Sequence, residues 1–139
     1  MDALVVDASV ALAWCFPDEG SADAVRVLDE LKFRQGVVPG HWPLEITNAI
    51  LAGERRRRLV AADVARFFRL LNGLSFTVDL STSQQAIGHL LPLARANGLS
   101  AYDAAYLDLA MREGLALATL DDKLRRAAKA SGVVVFPGK

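Results

Sequence analysis

The chain has 139 residues, 53% of them apolar, and its 16 basic and 16 acidic side chains cancel. That length suits one domain with a sizeable core, and the apolar fraction excludes a disordered chain. Zero net charge excludes a protein that grips nucleic acid through its overall field, so any such role has to come from a local site.

The first apolar run, Ala3–Val6, reads as a strand, followed by a helix over Ser9–Phe16. The lone cysteine, Cys15, lies in that apolar stretch. It reads as a small buried hydrophobe, and the lack of any disulfide partner suits a reducing compartment. Ala24, Val27, Leu28 and Leu31 follow the helical spacing i, i+3, i+4, i+7. Val37–Val38 is the second strand, and Pro43–Arg58 the next helix. Val64, Phe67, Phe68 and Leu71 mark another helix before the third strand, Phe76–Val78.

Ile87, Leu90, Leu91 and Ala94 carry helical spacing through Pro92, which should kink or break that helix. Ser100–Glu113 is apolar nearly all round, including Tyr102, Ala105, Tyr106 and Leu109, and reads as a central, largely buried helix. Leu115–Ala118 and Val133–Phe136 are the last strands, with a helix over Asp122–Ala130 between them.

Short apolar strands alternating with helices predict an α/β, three-layer sandwich around a central parallel five-stranded sheet. No repeat or linker interrupts it, so residues 1–139 form one expected domain. No basic-then-apolar leader opens the chain, and no apolar run nears the ~20 residues of a membrane span. The expectation is a soluble, cytoplasmic protein with no membrane partner.

The acids at the strand ends and helix starts carry the functional information. Asp7 closes the first strand in Val5-Val6-Asp7-Ala8-Ser9, and Asp121 holds the equivalent place in Ala118-Thr119-Leu120-Asp121-Asp122. With strand order 3-2-1-4-5, both would face the crevice at the switch point, where open α/β sheets bind ligands. Glu45 falls in the first turn of a helix begun by Pro43, and Asp103 lies three residues after Ser100.

Capping and the helix dipole explain any one of these acids without function, and Ser100-x-x-Asp103 resembles a capping box. As a set, four carboxylates on one crevice repel one another, and a hard cation such as Mg²⁺ or Mn²⁺ is the usual remedy. Such a site can activate water for attack on a phosphodiester.

Val5–Ser9, Pro43–Ala49, Ser100–Tyr106 and Ala118–Asp121 together resemble the successive motifs of PIN domains, nearest to VapC toxins of type II toxin–antitoxin pairs. The resemblance runs from Leu4 to about Phe136. It implies a PIN-like fold and an endoribonuclease requiring Mg²⁺ or Mn²⁺, a homodimer restrained by a cognate antitoxin. By position it assigns Asp7, Glu45, Asp103 and Asp121 as catalytic, metal-holding acids, with Ser9 and Thr119 in support. Asn48, three residues past Glu45 on the same helical side, is a further supporting candidate.

Asp122 departs from the family pattern and reads as a solvated helix-start residue. Asp108 is five residues past Asp103, about 140° round the helix, and reads as a solvent or interface contact. Arg55, Arg56, Arg57 and Arg58 form the only basic run, open to two readings: a solvated helix end, or a hold on RNA phosphates. His41 and His89 lack zinc-site partners and read as structural. Trp14 and Trp42 read as core or interface.

Two rivals stand beside the ribonuclease. A phosphoacceptor switch would use one strand-end Asp, but the acidic pair and late Lys such receivers need are missing. A PIN-like binding module would keep the fold without cleaving, and the intact set of four acids argues against it.

Overall fold

The structure, a computed structural model, describes residues 2–138; Met1 and Lys139, the ends of the expected domain, lie outside the described residues. Five parallel strands form one sheet in the order β3-β2-β1-β4-β5. They are β1 Ala3–Val6, β2 Gln35–Pro39, β3 Phe76–Asp79, β4 Ala116–Ala118 and β5 Val135–Phe136. All four residues of β1 are buried. Because successive side chains point to opposite faces, this means that both faces of the sheet are covered.

The helices are α1 Ala8–Cys15, α2 Ala22–Glu30, α3 Trp42–Arg55, α4 Ala61–Asn72, α5 Thr82–Gln85, α6 Leu91–Asn97, α7 Ala101–Glu113 and α8 Asp122–Ala130. α1 packs against α2, α3 and α4, whereas α7 lies across β1, β2 and β4 and against α6 and α8. Seven consecutive residues of α7, Ala104–Ala110, are buried, as its all-round apolar pattern requires. Trp14 donates its indole N–H to the Ala24 carbonyl at 2.8 Å, and Trp42 stacks on Phe76 at 5.1 Å. Both tryptophans serve packing.

Several boundaries differ from the sequence reading. α3 ends at Arg55, three residues early, because Arg57 adopts a left-handed backbone (φ 57°) that no helix continues through. The helix expected over 87–94 begins instead as α5, and Pro92 disrupts its continuation. Lacking an N–H, Pro92 cannot continue the regular ladder, and Ala86–Leu90 forms a wide π-type turn in which the Leu91 N–H reaches the Ala86 carbonyl.

Asp108 is not a solvent or interface contact. It is buried, and its carboxylate takes the Arg112 Nε at 2.7 Å while Arg112 also bridges to Asp79 at 2.8 Å. A carboxylate on the inner face of α7 needs such a partner, because burying it unpaired would be costly.

Candidate active site

The β1–β4 register sets the centre of the site. Val6 pairs with Ala118, and the Asp7 N–H donates to the Ala118 carbonyl at 2.9 Å, so Asp7 and Thr119 leave the sheet side by side. The chain crosses between these two strands from one half of the sheet to the other, which is where such sheets open a crevice.

Asp7 stands at the N-cap of α1 yet makes no capping bond. Its Oδ2 accepts instead from the Ser9 hydroxyl and the Thr119 hydroxyl, both at 2.7 Å. Ser9 Oγ also accepts the Leu120 N–H at 3.2 Å, and Thr119 Oγ1 accepts the Asp121 N–H at 3.0 Å. The two hydroxyls therefore tie the start of α1 to the β4–α8 turn. Below them, the buried Arg125 guanidinium donates to the Thr119 carbonyl at 2.8 Å and to the Pro137 carbonyl at 3.0 Å.

Burial pushes Asp7 up to about 6; the Ser9 and Thr119 hydroxyls pull the other way, and the Glu45 and Asp103 carboxylates raise it further. Asp103 is raised as well, by burial first and then by the charges of Asp121 and Glu45. Two carboxyl groups thus resist ionising because of where they sit and what surrounds them.

Glu45 behaves differently. Burial raises it, but His41 and Tyr106 outweigh that and hold its carboxyl below the usual range. The Tyr106 hydroxyl donates to Glu45 Oε1 at 2.7 Å. His41 Nε2 lies 3.0 Å from the same oxygen, off the line of a good hydrogen bond. Burial keeps the Tyr106 phenol protonated, with its pKa pushed well up.

Capping accounts for only one of the four acids. Asp121 Oδ1 accepts the Lys123 and Leu124 N–H groups at the start of α8. Ser100 caps α7 by accepting the Asp103 N–H, but the Asp103 carboxylate takes no bond from the Ser100 N–H, so the capping box is half made. Asp7 and Glu45 cap nothing.

Asn48 is exposed and lines a concavity of about 320 Å³ with His41, Leu44, Glu45 and Tyr102. Arg58 folds back on Asp18 and Glu19 and stacks over Phe16 at 4.4 Å. Arg55, Arg56 and Arg57 remain exposed at the end of α3. His41, read from the sequence as structural, lies against Glu45, and Tyr106 and Arg125 are further site neighbours that sequence reasoning does not assign to the site. Two carry a signal: His41 lies one helical turn before Glu45, and Tyr106 one turn after Asp103.

Among the described residues, no three His, Cys, Asp or Glu side chains are grouped ready to hold a metal ion. The chemistry of the donors nevertheless fits a hard cation. Asp7 Oδ1, Glu45 Oε2 and Asp121 Oδ2 accept no hydrogen bond from the described residues, while the other oxygen of each carboxylate is engaged. Mutually repelling carboxylates with one oxygen spare, Asp7 buried and Glu45 and Asp121 more open, are an oxygen-donor set that a divalent cation would relieve.

Residues 4–130 match the PIN domain family. The chain belongs to this family. It is 28% identical over 121 residues to Ribonuclease VapC3 of Pyrobaculum aerophilum, covering 87% of this chain and 91% of that protein. The fold is similar to crystal structures of PAE2754 from Pyrobaculum aerophilum (TM-score 0.68, 24% identity, 96% of this chain and 83% of that one). It is also similar to VapBC2 from Rickettsia felis bound to a promoter DNA fragment (TM-score 0.66, 12% identity, 96% of each chain). The fold brings the four sequence-predicted acids within each other's electrostatic reach: Glu45 and Asp103 act on Asp7, and Asp121 and Glu45 act on Asp103.

Proposed function

We propose that this PIN domain is a Mg²⁺- or Mn²⁺-dependent endoribonuclease, the toxin of a toxin–antitoxin pair. The observation that carries the reading is Asp7: a buried carboxylate at a helix start that caps nothing and is raised to about 6 by burial and by Glu45 and Asp103. A protein that used its acids only for capping would have no reason to retain that unfavourable arrangement. The similarity to Ribonuclease VapC3 and to the VapBC2 structure supports the RNA substrate and the antitoxin partner.

Asp7, Glu45, Asp103 and Asp121 would hold the ion. When bound, it offsets their mutual repulsion, lowers the pKa of water and neutralises charge developing on the phosphodiester. The chain's own residues do the rest. Ser9 and Thr119 fix the orientation of Asp7. Asn48, beside Glu45 in the concavity, contacts the substrate strand. The exposed Arg55, Arg56 and Arg57 hold flanking phosphates, whereas Arg58 is committed to Asp18 and Glu19.

Leu44, Leu80 and Ile87 are exposed apolar residues, at 73%, 87% and 82%, and they offer covering surface to an antitoxin and to a second copy of the chain. Among the described residues, no helix is long and apolar enough to cross a membrane; the cytoplasm, where RNA substrate and antitoxin would meet it, is the proposed place of action.

Asp103→Asn tests the reading. It keeps the shape, removes one charge and leaves a much poorer metal ligand. Mn²⁺-dependent RNA cleavage should be lost, the metal-free protein should melt no lower than the parent, and Mn²⁺ should raise the melting temperature of the parent far more than that of the variant. Retained cleavage with a lowered metal-free melting temperature would reduce Asp103 to a helix-start residue and overturn the assignment.

A further inference from the structure

Asp7 and Glu45 are held in the same manner, although they come from different elements. Each carboxylate has two side chains converging on one oxygen. For Asp7 Oδ2 these are the Ser9 and Thr119 hydroxyls. For Glu45 Oε1 they are the Tyr106 hydroxyl, at 2.7 Å, and His41 Nε2, at 3.0 Å. The remaining oxygen of each acid is left without a donor among the described residues.

Tyr106 also links the two acids. Its hydroxyl accepts the N–H of Ala8, the residue after Asp7, at 3.3 Å while donating to Glu45. One phenol oxygen thus spans the start of α1 and the first turn of α3, and the helix that carries it, α7, carries Asp103 one turn earlier. Tyr106 is fully buried. With no water available to it, the hydroxyl depends on both of these partners, so the connection is a constraint and not an option among many. His41 packs edge-on to the Tyr106 ring at 5.2 Å and lies 5.4 Å from the Tyr102 ring, so its imidazole is wedged on the outer side of the same carboxylate.

We propose that Tyr106 and His41 are positioning residues for the proposed divalent-cation site, clamping Glu45 Oε1 so that Oε2 is presented beside Asp7. The clamp rests on the ribonuclease reading for its purpose and on the contacts around Glu45 for its geometry. Both residues act through Glu45. Groups that hydrogen-bond a metal-ligating carboxylate orient it, and losing one typically weakens metal binding on the order of 10- to 100-fold.

Tyr106→Phe keeps the ring and its packing and removes only the clamping oxygen; His41→Ala removes the outer contact from a site nearer the surface. Mn²⁺ affinity, measured directly on purified protein by calorimetry or by electron paramagnetic resonance, should fall about tenfold or more in Tyr106→Phe. It should fall by a smaller factor in His41→Ala, whose contact with Glu45 is off the line of a good hydrogen bond. The metal-free melting temperature should fall somewhat in Tyr106→Phe, which leaves the Ala8 N–H unpaired, and move little in His41→Ala. Glu45→Gln supplies the reference, because the effect of Tyr106→Phe should shrink in its background when the two act through one carboxylate.

Variants that bind Mn²⁺ as the parent does, while Glu45→Gln binds weakly, would overturn the clamp and leave the ribonuclease reading standing. Loss of melting temperature with Mn²⁺ affinity unchanged would make Tyr106 a packing residue only. A parent protein that neither binds Mn²⁺ nor cleaves RNA would overturn both. Should Tyr106→Phe not fold, His41→Ala against Glu45→Gln still decides the question.

Discussion

The Thr119 hydroxyl donates to Asp7 Oδ2 at 2.7 Å across 112 positions of sequence, and accepts the Asp121 N–H at 3.0 Å. It joins the first and fourth acids of the site through one atom. Thr119→Val keeps the shape but removes that atom. One donor then leaves Asp7, so its carboxyl in metal-free protein should titrate above about 6. A stability cost of about 1–2 kcal/mol should accompany the unpaired Asp121 N–H. Carbon-13 NMR titration of Asp7 and urea denaturation measure the two; an unchanged Asp7 titration would show that the hydroxyl does not tune it.

The raised Asp7 also makes metal-free stability depend on pH. Its folded carboxyl titrates at about 6 against an ordinary value of 3.8, so between those values the folded state binds the proton that the unfolded state has released. The contribution of Asp7 to stability should therefore be fully present below about pH 3.8 and be lost as pH rises through about 6, by roughly 3 kcal/mol at 1.36 kcal/mol per pKa unit. Asp103, also raised, adds to the fall with the same sign. Denaturation with chelator at pH 5 and pH 7 measures the slope, and Asp7→Asn should flatten most of it. A parent that gains stability over this range would contradict the assignment.

The arginine run divides by structure into two parts with different expected phenotypes. Arg56→Gln with Arg57→Gln should weaken RNA binding and make its salt dependence shallower, as loss of phosphate contacts requires. Metal dependence should be unaffected. Arg58→Gln should instead lower the melting temperature, because its guanidinium holds Asp18 and Glu19 and covers Phe16. Binding isotherms at several salt concentrations, with melting curves alongside, separate the two. A salt slope that responds to Arg58 and not to Arg56 and Arg57 would reverse the assignment.

Much of the fold is legible because the buried elements announce themselves. β1 is a pure apolar run and α7 is apolar on every side, so both have to lie inside. Where local and tertiary preferences compete, local rules mislead. Arginine favours helices, which carries the expected α3 through Arg58, yet Arg57 leaves the helix and Arg58 turns back toward Asp18. Carboxylates usually lie at the surface, which is where Asp108 is expected, whereas Arg112 makes its burial tolerable. Neither Arg58's turn toward Asp18 nor the Asp79 that completes the Arg112 pairing is encoded within a few neighbouring residues.

The same division runs through the site. Motif order and strand-end position, both properties of the linear chain, are enough to single out Asp7, Glu45, Asp103 and Asp121. Sequence by itself does not decide which of them merely caps a helix, since all four stand near helix starts and a helix start attracts acids whatever their role. That depends on where each carboxylate finds its donors. Asp121 finds them in its own next turn, at Lys123 and Leu124. Asp7 finds one in Thr119, 112 positions away, and Glu45 finds one in Tyr106, 61 positions away. Contacts over such separations exist only once β1 and β4 have paired and α7 has packed across them, so tertiary structure alone decides which oxygens are spent within the protein and which are left free.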